Sequence, residues 1–173
     1  MKKFLFALAL PALLASCAPS MMGSQAYNPV ALETPFSTVR VAPGQTVFVQ
    51  IKYPRAMLGV NDNLFDAVTI SFDQRTVGGD VSSPEARADW LKMTASDLPK
   101  GVNVELTQAY LLKDIRRTKD NSVSVEVSYA EVVRVVLKVT AEPGAELGRN
   151  VAELNFTGNG VDDSQLLSLS VEK

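Results

Sequence analysis

The chain has 173 residues, 46% hydrophobic and 21% charged, values near the globular average that exclude a disordered, solvated chain. Its 17 basic and 19 acidic residues give a formal net charge of −2, so composition offers no electrostatic attraction for nucleic acid. Histidine is absent and Cys17 is the only cysteine, which excludes His-based triads, His-ligated metal sites, zinc fingers and disulfides within the chain.

The N-terminus reads Met1-Lys2-Lys3, then an apolar run from Phe4 to Leu14, then Ala15-Ser16-Cys17. A basic start, an apolar middle and a small-residue stop are the parts of a secretory signal. The run is shorter than the roughly 20 residues a bilayer-spanning helix needs, and Pro11 interrupts it. Leu14-Ala15-Ser16-Cys17 resembles the lipobox of bacterial lipoproteins. The resemblance implies a signal peptide over residues 1–16, cleavage after Ser16, a diacylglyceryl thioether on Cys17 and a further acyl chain on the new amino group. A thiol is required there because sulfur attacks the lipid donor; small residues let the peptidase reach the bond. Two or more chains, at about 0.8 kcal/mol per buried methylene, hold a protein on a membrane without spanning it. The implied partner is therefore a membrane, reached through covalent lipid on Cys17. Ala18 follows the cysteine where an Asp commonly marks inner-membrane retention, so the resemblance implies the outer membrane in a two-membrane cell. An ordinary signal peptide with an unmodified cysteine is the alternative.

Residues 17–35 then comprise the lipidated cysteine and a linker. Pro19, Ser20, Gly23, Ser24, Asn28 and Pro29 fall here without a period of 2 or 3.6, the pattern of a flexible tether. Such a tether reaches on the order of 20–25 Å root-mean-square. Met21, Met22 and Tyr27 are the residues that could pack on the membrane or the domain instead.

Over residues 36–173 apolar and polar residues alternate. From Phe36, Val39 and Val41 oppose Thr38 and Arg40, and Ala42-Pro43-Gly44-Gln45 has the chemistry of a type II turn. Val47, Val49, Ile51 and Tyr53 form the next run, followed by Val68, Ile70 and Phe72. Ser83-Pro84-Glu85-Ala86-Arg87-Ala88 predicts one helical turn, with Ser83 as cap and Pro84 in the first position. Later runs are Val102–Leu106, Val123–Tyr129, Val133–Val139, Ala152–Phe156 and Leu167–Val171. Residues 122–140 exceed one ordinary strand, which predicts a break near Ser128–Ala130. Leu98-Pro99-Lys100-Gly101, Lys119-Asp120-Asn121, Pro143-Gly144 and Gly158-Asn159-Gly160 punctuate the runs as turns. The expected fold is all-β: a single antiparallel β-sandwich of about eight strands.

Leu98-Pro99-Lys100-Gly101-Val102-Asn103-Val104 resembles the Leu-Pro-x-Gly-Val-x-Val stretch of bacterial immunoglobulin-like and fibronectin-III-like domains. Leu137-Lys138-Val139-Thr140-Ala141, Gly148 and the Val151–Phe156 run are similar to their closing strands, although Gly148-Arg149-Asn150 replaces the usual Gly-x-Tyr step. The resemblance implies an immunoglobulin-like sandwich over residues 36–173 and carries no active site, such domains being binding or spacer modules.

Four groups are candidates for chemistry. Asn61-Asp62-Asn63, with Asp66, offers oxygen ligands for calcium and is similar to the Asn-Asp-Asn core of the cadherin motif, but Gly59 replaces its leading Asp; a polar turn explains the same residues. Asp162-Asp163 reads as a solvated loop. Lys113, Arg116, Arg117 and Lys119 form a basic cluster that suits an anionic polymer or headgroup, or guards a strand edge against pairing. Trp90, the single tryptophan, serves as core filler or as a sugar platform.

The sequence contains neither a Gly-x-Ser-x-Gly elbow nor a phosphate-cradling glycine loop. The expectation is a non-enzymatic envelope lipoprotein without cofactor. It presents its domain to a protein or envelope polymer, with strand addition to an exposed edge as one mode. Two other classes stay open: a structural subunit of a secretion, pilus or transport assembly, and a carbohydrate-binding or glycan-active protein.

Overall fold

The computed structural model describes residues 28–70, 83–119 and 125–173; the signal segment, Cys17 and the tether up to Tyr27 lie outside them. The elements in chain order are β1 (Val30–Ala31), β2 (Val39–Val41), β3 (Thr46–Pro54), two short 3-10 helices (Arg55–Leu58 and Asp62–Phe65), β4 (Glu85–Arg87), β5 (Lys92–Ser96), β6 (Val102–Lys119), β7 (Val125–Ala141), β8 (Gly148–Gly158) and β9 (Val161–Val171). The fold is all-β. One sheet has the order β1-β3-β7-β6-β4 and the other β2-β9-β8-β5, and neither closes on itself. Among the described residues, no helix is long and apolar enough to cross a membrane.

Period-2 burial builds one core between the sheets. Val49, Ile51 and Tyr53 of β3 and Val133, Val135, Leu137 and Val139 of β7 face Leu154 and Phe156 of β8 and Leu167 and Leu169 of β9. The Tyr53 and Phe156 rings meet edge to face, centroids 5.7 Å apart. The turns follow their sequence signals. Gln45 N donates to Ala42 O at 3.0 Å with Gly44 at φ 79°, the expected type II geometry. Val102 N donates to Pro99 O at 3.0 Å, and Gly101 takes φ 77°.

Several expectations are corrected. The sheets are mixed, because β1 runs parallel to β3 and β2 parallel to β9. The chain passes from one sheet to the other between β1 and β2 without a hairpin, so no turn signal records the direction. Part of the expected linker is structured: Val30 and Ala31 pair with β3, Leu32 N donates to Gln50 O at 2.9 Å, and Leu32 packs on the core. The alternating run expected from Phe36 forms strand only over Val39–Val41, and the Phe36 side chain is exposed. The helical turn at Ser83–Ala88 is instead β4; Pro84 O accepts from Lys113 N and Ser83 Oγ accepts from Ile115 N, so the edge of β6 outcompetes a helix of one turn. The run at Val68–Phe72 forms no strand over Val68–Ile70, where Val68 N closes a turn on Phe65 O; Phe72 lies outside the described residues. β7 does not break at Ser128–Ala130. Apolar residues hold its odd positions from Val125 to Ala141 except at Glu131, and β6 supplies a partner for the whole length.

β3 covers β7 only as far as the Pro54–Val132 pair, whereas β6 and β7 stay paired out to Lys119–Val125. Among the described residues, the hairpin therefore continues past β3 and β4 as a two-stranded arm. Its base is pinned by Arg55 to Glu131 at 2.9 Å and by Lys52 to Asp114 at 3.1 Å.

Candidate functional site at an unpaired sheet edge

The structure places the sequence candidates apart from one another. Asn61-Asp62-Asn63 opens the second 3-10 helix, and the side chains of Asn61 and Asp62 both accept from Asn63 N, at 3.3 and 2.9 Å. Those oxygens serve the turn. Among the described residues, no group of three His, Cys, Asp or Glu side chains is arranged to hold a metal ion. Asp162 and Asp163 lie in β9 rather than in a loop, with Asp163 accepting from Ser164 N at 2.8 Å. The basic cluster runs along the arm. Lys113 Nζ sits 5.7 Å from the centroid of the exposed Tyr129 ring, Arg116 is exposed, and the side chains of Arg117 and Lys119 lie outside the described ones. Trp90 is half-buried against the core, its carbonyl under Gly158, where a Cβ would overlap it.

The feature that no single motif announced is an edge between the two sheets that stands open among the described residues. β5, itself an element without a strong sequence signal, ends one sheet, while β4 ends the other only alongside residues 110–112 of β6. After Ala88, the chain leaves the first sheet through Asp89 and Trp90 and starts β5 in the second. Residues 102–108 of β6 are thus paired with β7 on one side and with no described strand on the other.

The direction of the β6 main chain follows from two hydrogen bonds. Gly101 O accepts from Glu142 N on the β7 side, while Ala109 O accepts from Ala88 N on the β4 side. In a regular strand two odd residues would face the same way. The register shift between Leu106 and Gln108 reverses the alternation, and Thr107, the extra residue, ties its Oγ1 to Val136 O at 2.9 Å. Before this bulge, the even residues Val104 and Leu106 turn N–H and C=O away from β7. They look into a groove of about 370 Å³ lined by Leu91, Met93 and Leu106 and by the polar Asp89, Lys92, Glu105 and Gln108.

The rim carries modest charge. Lys92 Nζ donates to Asp89 O at 3.2 Å, and Glu105 accepts from Asn103 Nδ2 at 2.8 Å and from Lys138 Nζ at 3.3 Å. What the site can do chemically is offer main-chain donors and acceptors at strand spacing, in a mainly polar groove to which Met93 and Leu106 contribute apolar surface. A sequence signal for the bulge does exist: core-facing residues are even at Val102 and Val104 but odd at Ala109 and Leu111.

No protein-family description matches the chain, and no curated protein does. Among solved structures, it is similar to a family 123 glycoside hydrolase from Clostridium perfringens, described in work on glycolipid glycan hydrolysis, at 10% identity and a TM-score of 0.34. That match covers 79% of this chain and spans 23% of the hydrolase chain, and at this TM-score it carries no argument about fold or activity.

Proposed function

We infer that the protein is a lipid-anchored lipoprotein of the bacterial cell envelope, in the outer membrane of a two-membrane cell. It presents a non-catalytic immunoglobulin-like domain to a protein or envelope polymer. The observation that carries this reading is the position of the chain's only cysteine, directly after Leu14-Ala15-Ser16. The strand order supports the immunoglobulin-like assignment: β1-β3-β7-β6 matches the A-B-E-D sheet, and β9-β8-β5 matches G-F-C. β4 and the parallel β2 are additions to that plan.

Strand direction supports the display of a far surface. β1 runs parallel to β3 with Val30 beside Val49, so the chain arrives from the tether at the Thr46–Thr140 end of the sheet. The arm leaves from the other end, and β7 alone, from Ala141 to Val125, is on the order of 50 Å long. A lipid on Cys17 thus holds one pole near the bilayer and leaves the arm at the opposite pole.

Detergent phase partitioning of wild type and Cys17→Ala tests the anchor. Wild type is expected in the detergent phase and the variant in water, with a diacylglyceryl mass on the N-terminal peptide of the wild type. Identical partitioning into water, or a bare thiol on Cys17, ends this reading.

A further inference from the structure

We propose that the edge of β6 at Val104 and Leu106, which no described strand covers, accepts an extended segment of a partner polypeptide as an added strand. The proposal deepens the binding reading above and depends on it only for the existence of a partner.

The groove's chemistry selects the occupant. Two outward-facing residues, Val104 and Leu106, stand one two-residue repeat apart, about 7 Å along the strand. Each offers one donor and one acceptor, the repeat with which another β-strand presents its own. The vacancy is one strand wide, because β4 occupies the same edge further along and then departs at Ala88. The Leu98–Gly101 turn bounds it at one end and the Ala88–Leu91 crossover at the other. About five residues of added chain fill the length. Every second side chain of that chain faces Met93 and Leu106 beside the polar Lys92 and Gln108, which suits small β-branched residues, valine or threonine, at alternate positions; the others stand beside Glu105 in solvent.

Edge protection points the same way. Beyond Ile115, where Ser83 makes the last contact along this edge among the described residues, the arm portion of β6 carries Arg116, a charge that discourages pairing. Residues 102–108 contain no proline and no lysine, and the one charge, Glu105, is engaged by Lys138 and Asn103. The guarded and unguarded stretches lie on one strand, on either side of the part that β4 covers.

The experiment uses the full chain, as wild type and as Cys17→Ser, with a capped heptapeptide of alternating valine and threonine as the probe. Amide hydrogen exchange is read residue by residue. Saturating peptide is expected to slow exchange at Val104 and Leu106 by roughly tenfold, and to leave Glu105, whose amide faces β7, unchanged. Leu106→Pro removes one outward donor and is expected to weaken peptide binding about tenfold while the fold persists, proline being tolerated where an edge N–H faces outward. If that variant unfolds, the exchange pattern of the wild type decides alone. No slowing at Val104 and Leu106, slowing confined to β5, or undiminished binding by folded Leu106→Pro overturns the proposal. So does slowing that depends on protein concentration without peptide, which would assign the edge to a second copy. Equal binding by Cys17→Ser keeps the site even if the anchor reading fails; loss of peptide binding with the anchor intact removes the site alone.

Discussion

The guanidinium carbon of Arg134 lies 4.4 Å from the centroid of the Tyr110 ring, on the outer face of the five-stranded sheet. The two residues are register partners on β7 and β6, and Arg134 reaches onward to Glu85 on β4. One side chain therefore ties three strands and holds the last, three-residue strand in place.

Arg134→Ala removes a stacked cation, an ion pair and aliphatic packing together. The expected loss is about 1–2 kcal/mol in urea unfolding, with faster exchange of the Ala88 amide as β4 loosens. Glu85→Ala removes only the ion pair, half exposed on the carboxylate side, and is expected to cost less than about 1 kcal/mol. Equal losses from the two variants would show that stacking on Tyr110 contributes nothing.

Tyr53 is fully buried, and its hydroxyl has no hydrogen-bond partner among the described residues. Tyr53→Phe deletes an unsatisfied group and keeps the ring against Phe156, so stability is expected to hold or to rise by about 1 kcal/mol. Burial also pushes the Tyr53 phenol up, well above its ordinary value of 10.0. Above that value the unfolded phenol ionises while the folded one stays protonated. The folded state then binds more protons, and stability falls as pH rises. Wild type is expected to lose up to about 1.4 kcal/mol per pH unit more than Tyr53→Phe once pH passes roughly 10. Parallel pH curves for the two proteins would refute the assignment.

Much of the fold is legible in alternation: Val49, Ile51 and Tyr53, or Leu167 and Leu169, read as core because one face is buried and the period is 2. What escapes reading lacks that asymmetry. β5 buries only Met93 and Ala95, in part, between Lys92, Thr94 and Ser96. β4 presents the helix-start chemistry of Ser83 and Pro84 but lies where β6 has amides to satisfy, and tertiary context overrides the local preference. The open edge depends on where β4 stops, a long-range property, so only the phase change around Thr107 hints at it.

Gly158 sits at φ 126°, and a Cβ there would overlap the main-chain carbonyl of Trp90. Gly144 has nothing within 4 Å of its would-be Cβ. Gly158→Ala is expected to cost about 3 kcal/mol and to shift Trp90 emission, because backbone must move at the β4–β5 crossover. Gly144→Ala is expected to stay within about 0.5 kcal/mol of wild type with unchanged emission. Matching melting temperatures for the two variants would mean that the crossover yields freely, and the groove wall it forms would not be rigid.

Thr107 is where the alternation of β6 reverses between the open edge and the part under β4, so its removal is the most informative change to the strand. Thr107→Val keeps the bulge residue and loses the bond from Oγ1 to Val136 O, an expected cost of about 1 kcal/mol with the exchange pattern of β6 preserved. Deleting Thr107 removes the extra residue itself. Without it the Leu106–Leu137 pair is followed directly by Gln108–Val136, a regular ladder in which Val102, Val104, Ala109 and Leu111 all keep the core face and Val104 and Leu106 still turn away from β7. The deletion is expected to keep cooperative unfolding, with a stability within about 1 kcal/mol of Thr107→Val. Loss of cooperative unfolding in the deletion variant, the result of throwing Val102 and Val104 or Ala109 and Leu111 onto the wrong face, would mean that the alternation does not reverse at this position, and the outward aim of Val104 and Leu106 would fall with it.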